Sequence, residues 1–155
     1  MTRAEVGFSA PPFDLPADSG GRVRLSDLAG KKVVLYFYPA DDTPGCTLEA
    51  IDFSKHLPEF EAAGAVVIGV SPDTAKSHDK FKAKHKLTLR LAADSDKKAT
   101  NAYGLWIEKT NFGKKYMGVE RATFLIDKDG KIARAWHKVR VKGHVEAVLA
   151  ATRSL

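Results

Sequence analysis

The chemistry available to this chain centres on its only cysteine, Cys46, which ends the run Thr43-Pro44-Gly45-Cys46. A cysteine thiolate is a strong nucleophile. Threonine before proline is typical of a helix N-cap followed by a first-turn proline, so the run predicts Cys46 in the first turn of a helix. The amides of that turn have no partners within the helix and favour a thiolate over a thiol. The alternative is a small buried apolar side chain, but this position favours a reactive thiol.

Apolar and turn residues around Cys46 predict the elements that hold it. Residues 33–38 are β-branched and aromatic, as in a strand that is buried on both faces. Turn residues follow, and residues 43–63 then show the spacing of an amphipathic helix. Pro58 lies inside this helix, so we expect a kink or break at Leu57. Cys46 should therefore lie where the carboxyl end of a central strand meets a helix.

The rest of the chain alternates between strand and helix patterns. Further strands are predicted over residues 65–70, 87–91, 122–126 and 131–136, further helices over 74–84, 96–103 and 143–152, a hairpin over 13–15 and 23–25, and a loop over 105–118. This order predicts an α/β fold with one central mixed sheet and helices on both faces. We expect residues 1–155 to form one domain.

The composition argues against several classes of protein. The formal net charge is +6, but the lysines are scattered without an arginine and aromatic patch, so we expect no nucleic-acid partner. No apolar run is long enough to cross a membrane and no apolar leader is present, so we expect no membrane partner and a cytoplasmic protein. The five histidines show no metal-ligand spacing. We expect them at the surface or in caps, with neither a metal nor another cofactor.

Three blocks of sequence carry a family resemblance. The pattern Pro39-x-x-x-Thr43-x-x-Cys46 matches the peroxidatic motif of peroxiredoxins, and residues 38–47, 113–127 and 139–144 resemble the bacterioferritin comigratory protein (PrxQ) branch. This resemblance implies a thioredoxin-like fold. It also implies a thiol-dependent peroxidase that reduces hydrogen peroxide and small alkyl hydroperoxides through a sulfenic acid at Cys46.

The resemblance also implies roles for individual side chains. The hydroxyl of Thr43 would bond both the peroxide oxygen and the sulfur, and the guanidinium of Arg121 would face the thiolate. Pro39 would cover the sulfur from bulk solvent, and the amides of Gly45 and Cys46 are candidate donors to the peroxide oxygen. Each residue also has a purely structural interpretation: Thr43 as a helix cap, Arg121 as a surface charge and Pro39 as a strand terminator.

The sequence departs from this branch in one respect that bears on recycling. Many members carry a resolving cysteine five residues after the first, where this chain has Ile51. Reduction of Cys46 would then need an external thiol: thioredoxin, glutaredoxin, a low-molecular-weight thiol or a second copy of the chain.

We expect a monomer or weak homodimer. Two other hypotheses are a redox sensor or relay that passes oxidation to a partner, and a scaffold with an inert cysteine. Glu49, one turn after Cys46, is a candidate ion-pair partner of Arg121.

Overall fold

The computed structural model describes residues 2–155. The strands in this range are β1 (Asp14–Pro16), β2 (Arg22–Arg24), β3 (Lys32–Phe37), β4 (Ala65–Ser71), β5 (Arg90–Ala93), β6 (Trp106–Asn111), β7 (Lys114–Val119), β8 (Ala122–Ile126) and β9 (Ile132–Trp136). The helices are α1 (Pro44–Ala62), α2 (Ala75–His85), α3 (Lys98–Ala102) and α4 (His144–Ser154). No helix among these residues is both long and apolar enough to cross a bilayer.

A five-stranded mixed sheet forms the centre of the fold, in the order β5-β4-β3-β8-β9. The strands β3, β4 and β5 are parallel, whereas β8 runs antiparallel to both β3 and β9. Every residue of β3 is buried, which agrees with the apolar run from Val33 to Phe37. The sheet therefore presents the carboxyl end of its middle strand to the start of α1.

Two hydrophobic clusters cover the two faces of this sheet. On one face, side chains of α1, α2 and α4 pack against alternate residues of β3, with Phe53, Phe60, Phe81, Val145 and Val148 in the cluster. On the other face, α3 and the β1–β2 hairpin pack against the remaining β3 residues through Phe13, Leu15, Val23, Ala99 and Tyr103. This arrangement confirms the predicted α/β class with helices on both faces.

Three expectations from the sequence are wrong. The loop predicted over 105–118 is the hairpin β6–β7, whose mostly exposed side chains give no burial period. The break expected at Leu57 is absent, because α1 continues through Pro58, which lies on the exposed side of the helix. The histidines His78 and His144 are buried rather than at the surface, because each forms specific hydrogen bonds inside the fold.

Candidate active site

Cys46 occupies the first turn of α1, two residues after Pro44, which begins the helix. Its side chain is a free thiol that is only 1% exposed. The helix follows β3 after a six-residue loop, residues 38–43, that we call the β3–α1 loop. The sulfur is therefore buried beside the free amides at the positive end of a helix.

Arg121 brings a fixed positive charge to this sulfur. Because β8 pairs antiparallel with β3 and Ala122 lies opposite Phe37, the residue just before β8 comes to the carboxyl end of β3. Nη2 of Arg121 donates a hydrogen bond to Cys46 Sγ at 3.2 Å. A guanidinium held at this distance stabilises negative charge on the sulfur and on any oxygen bonded to it.

Glu49 holds the arginine from the other side. Nη1 of Arg121 donates to Glu49 Oε1 at 2.7 Å, which is the ion pair suggested by the sequence. The Glu49 side chain is fully buried, and its Oε2 has no partner among the described residues. Burial raises the pKa of Glu49 to about 7 even though Arg121 lowers it. Burial alone would lower the pKa of Arg121, but Glu49 and Cys46 raise it above its usual range.

The raised pKa of Glu49 predicts a pH-dependent difference between the wild type and Glu49→Gln. The folded protein binds the Glu49 proton up to a pH of about 7, whereas the unfolded chain releases it at about 4.5. Raising the pH through this window therefore lowers the free energy of unfolding of the wild type relative to the variant, by up to about 3 kcal/mol. Urea unfolding of both proteins at about pH 5 and about pH 8 measures this difference.

The control for this experiment is Glu61→Gln, which removes an exposed carboxylate from the same helix. We expect its stability to follow that of the wild type at both pH values. The titration of His144 is common to the compared proteins and cancels in the difference. A difference between wild type and Glu49→Gln that does not change with pH would contradict the prediction.

Three further residues of the predicted site lie at the start of α1. Thr43 is the N-cap residue, but its hydroxyl donates to Ala40 O at 2.9 Å and makes no capping bond. Its oxygen can still accept a hydrogen bond from a peroxide. Pro39 is half-buried in the β3–α1 loop. Gly45 packs against the guanidinium, since a Cβ at this position would lie 3.3 Å from Arg121 Nη2.

This close approach predicts that Gly45→Ala slows the reaction of Cys46 with peroxide. The guanidinium cannot easily retreat, because it is bonded to both Cys46 and Glu49. A displacement of a few tenths of an ångström should weaken its bond to the sulfur and reduce the rate constant by about tenfold. Alanine is a better helix former than glycine, so stability should not fall. Stopped-flow oxidation by hydrogen peroxide, with Lys55→Ala as a control on the exposed side of α1, measures the effect. An unchanged rate would contradict it.

A buried polar network that the sequence did not predict fixes the β3–α1 loop. Asp41 Oδ1 accepts a hydrogen bond from the Tyr38 hydroxyl at 2.6 Å, and Oδ2 accepts from Ser77 Oγ at 2.7 Å and lies 2.8 Å from His78 Nδ1. The amide of Asp41 donates to Asp73 Oδ2 at 2.8 Å. The acidic turn before Thr43 was the only signal in the sequence, and it indicated no more than a turn.

The carboxylate of the next residue, Asp42, is exposed and binds the C-terminal end of α2. Asp42 lies 2.6 Å from Lys84 Nζ and 2.8 Å from His85 Nε2. Together with Asp41, it joins the β3–α1 loop to both ends of α2. The loop that carries Pro39 and Thr43 is thus held by a helix that does not itself contact the sulfur.

His144 is the second buried histidine that sequence reasoning missed. Its Nε2 lies 2.8 Å from Thr123 Oγ1, and burial, followed by the nearby Arg121, lowers its pKa to about 4. The imidazole is therefore neutral at neutral pH and adds no charge to the site. Among residues 2–155, no cluster of three or more histidine, cysteine or acidic side chains could hold a metal ion.

Comparison with known proteins gives matches along most of the chain. Residues 6–135 match the AhpC/TSA family. Peroxiredoxin Bcp of Bacillus subtilis is 52% identical over 145 residues, which cover 94% of this chain and 92% of that protein. Peroxiredoxin Bcp of Xanthomonas campestris is 47% identical over 156 residues, covering 99% and 98%. The solved Xylella fastidiosa PrxQ mutant has a TM-score of 0.93 at 38% identity, covering 99% of this chain and 98% of that one.

Proposed function

Because the chain belongs to the AhpC/TSA family, as a thiol-dependent peroxidase of the Bcp (PrxQ) type, we propose that it reduces hydrogen peroxide and small alkyl hydroperoxides in a one-cysteine cycle at Cys46. The contact that carries this proposal is the hydrogen bond of 3.2 Å from Arg121 Nη2 to Cys46 Sγ. A guanidinium on the sulfur of the only cysteine supports a role for that sulfur as a thiolate nucleophile.

In the oxidation step, the Cys46 thiolate attacks one oxygen of the peroxide. An S–O bond forms as the O–O bond breaks, which leaves a sulfenic acid and releases water, or an alcohol when the peroxide is alkyl, after one proton is taken up. Full ionisation of a free thiol gains only about 30-fold in rate, or roughly 2 kcal/mol. The rest must come from groups that stabilise the charge as it moves to the leaving oxygen.

Four side chains and the first-turn amides are proposed for that task. Arg121 would stabilise the thiolate and the departing oxygen, and Thr43 would accept a hydrogen bond from the peroxide. The amides of Gly45 and Cys46 would donate to the peroxide oxygen, and Pro39 would shield the sulfur from water. Glu49 would act as a positioning residue, since its 2.7 Å bond fixes the orientation of Arg121.

The recycling step would use an external thiol, because this chain has one cysteine. A thiol would condense with the sulfenic acid, forming a mixed disulfide and water, and a second thiol would then release the Cys46 thiolate and a disulfide product. One peroxide and two thiols would thus give water or alcohol, a second water and one disulfide. Two solved structures of the Xanthomonas relative are mutants of two different cysteines, whereas this chain has one cysteine.

The proposal extends to the compartment, the domain organisation and the oligomeric state. We propose that the protein works in the cytoplasm as one domain and as a monomer or weak homodimer, without metal, nucleic acid or membrane. The absence of an internal disulfide is in keeping with a reducing compartment.

A peroxide-consumption assay with thioredoxin, glutaredoxin and glutathione as alternative reductants tests the proposal. Repeated turnover with at least one of them is the expected result. One oxidation per protein molecule with every reductant would instead indicate the redox sensor, and no oxidation at all would indicate an inert cysteine. Mass spectrometry of the product identifies the sulfenic acid or the mixed disulfide at Cys46.

A further inference from the structure

An apolar strip lies on the outer surface of α1, directly beside the turn that holds Cys46. Leu48 is 51% exposed and Ile51 is 40% exposed, and both belong to the small set of large apolar side chains that the described part of the fold leaves exposed. They line a shallow groove with Thr43, Pro44 and Thr47, which belong to the β3–α1 loop and the first turn of α1. Apolar side chains grouped beside a reactive cysteine give another molecule an apolar surface to pack against.

Lysines surround this strip. The concave surfaces that adjoin it at Ile51 and at Asp42 are lined by Lys55, Lys80, Lys84 and Lys86. The one exposed carboxylate among the lining residues is that of Asp42, and it is already paired with Lys84 and His85. We call Leu48, Ile51 and these four lysines the basic groove. Its apolar centre and positive edge complement an acidic surface with an apolar centre.

The chemistry of recycling identifies the occupant. The sulfenic acid at Cys46 has no second thiol in this chain to react with. The side chain of Cys46 is only 1% exposed, so we expect that the first turn of α1 has to move before the thiol of another protein reaches the sulfur. A protein held on the basic groove would be next to that turn at that moment, with its thiol close to the sulfur.

Resting on the one-cysteine cycle above, we propose that the basic groove docks an acidic dithiol protein that reduces oxidised Cys46. The first thiol of the partner would condense with the sulfenic acid and release water, and its second thiol would break the mixed disulfide. A second copy of this chain is a poor occupant, since it carries a formal net charge of +6 and the same lysines. It also has only one thiol to offer.

The test uses two double variants in the full-length protein. Leu48→Ala with Ile51→Ala removes the apolar strip without changing charge, and alanine is a better helix former than either residue. Lys55→Glu with Lys80→Glu reverses two charges of the rim, away from the ion pairs of Asp42. The rate of turnover is measured with a thioredoxin of acidic net charge and, separately, with dithiothreitol, which needs no docking surface. Stopped-flow oxidation by hydrogen peroxide measures the peroxide step alone.

With thioredoxin, we expect each double variant to lower kcat/KM by about tenfold or more, and the effect of the lysine pair to shrink as salt rises. Turnover with dithiothreitol and the peroxide step should stay within about twofold of the wild type. The control for the apolar pair is Val6→Ala, which truncates another exposed apolar residue. The control for the lysine pair is Lys128→Glu with Lys131→Glu, which makes the same change in net charge beyond the end of β8 that lies away from Arg121. These should leave all three rates unchanged.

Each other outcome overturns the proposal in a recognisable way. Normal reduction of both double variants by thioredoxin would remove the basic groove as a docking site. Equal losses with dithiothreitol and in the peroxide step would place these residues in catalysis or peroxide binding instead. A wild type that turns over with dithiothreitol but not with thioredoxin would overturn the acidic dithiol partner while leaving the peroxidase intact. A wild type that turns over with no thiol would overturn the one-cysteine peroxidase itself.

Discussion

Replacing Cys46 with serine is expected to abolish peroxide consumption with every thiol reductant. The hydroxyl of serine is not ionised near neutral pH and cannot accept oxygen from a peroxide. The fold should remain, since serine is slightly smaller and its oxygen can accept the hydrogen bond from Arg121 Nη2. Multiple-turnover assays, with unfolding curves for both proteins, measure the two effects.

The matched control is Ser54→Ala, a change of similar size further along α1. It leaves the chain's only cysteine in place and should retain activity. Residual thiol-driven turnover in Cys46→Ser would contradict the prediction, because the variant contains no sulfur nucleophile other than its methionines.

Replacing Arg121 with methionine should reduce the rate of Cys46 oxidation by about 10²- to 10³-fold. Methionine fills much of the same space but donates no hydrogen bond, so both the thiolate and the leaving oxygen lose their nearest cation. The single variant also leaves the buried carboxyl of Glu49 without its partner, which should lower the free energy of unfolding. Single-turnover oxidation by hydrogen peroxide in a stopped-flow instrument measures the rate.

The double variant Arg121→Met with Glu49→Gln separates catalysis from folding. It removes both buried charges, so its free energy of unfolding should be closer to that of the wild type than the single variant's. Its oxidation rate should nevertheless stay low. Recovery of the rate together with stability would show that Arg121 serves folding rather than the reaction. The oxidation rate of Arg121→Lys should lie between those of the wild type and Arg121→Met. One ammonium group cannot reproduce the contacts that the guanidinium makes with both Cys46 and Glu49.

The centre of the site could be predicted because its signals are local. Thr43, Pro44 and Cys46 lie within four residues, and their turn and helix chemistry fixes where the sulfur goes. The contact with Arg121 is 75 residues distant in sequence. It depends on the register between β3 and β8, which no single segment encodes, so the family resemblance was needed to suggest it.

The fold was predictable where burial leaves a pattern of apolar residues in the sequence. The strand β3 is buried along its whole length, and its sequence is apolar from Val33 to Phe37. The hairpin β6–β7 buries few of its side chains, so its sequence shows neither alternation nor an apolar run. Its turn also lacks the usual Asn-Gly signal: Phe112 and Gly113 take the two positive-φ positions instead.

Buried polar partners were the least predictable feature. The sequence predicted His78, like the other histidines, at the surface or in a cap, but it lies buried on α2. Its burial depends on Asp41, 37 residues earlier, and on the Ala92 carbonyl, 2.9 Å from Nε2. Only the assembled fold brings these acceptors together, so pairing of this kind leaves no local pattern.

The attachment of the β3–α1 loop to α2 limits how far the site can be transplanted. Asp41 and Asp42 bind side chains at opposite ends of that helix. The conformation of the segment from β3 through α1 therefore depends on residues outside it. A protein engineer who grafts residues 33–53 onto another thioredoxin-like scaffold would transfer the sulfur without its supports. A working graft needs Ser77, His78 and Lys84 as well, presented from a helix at the same height above the sheet.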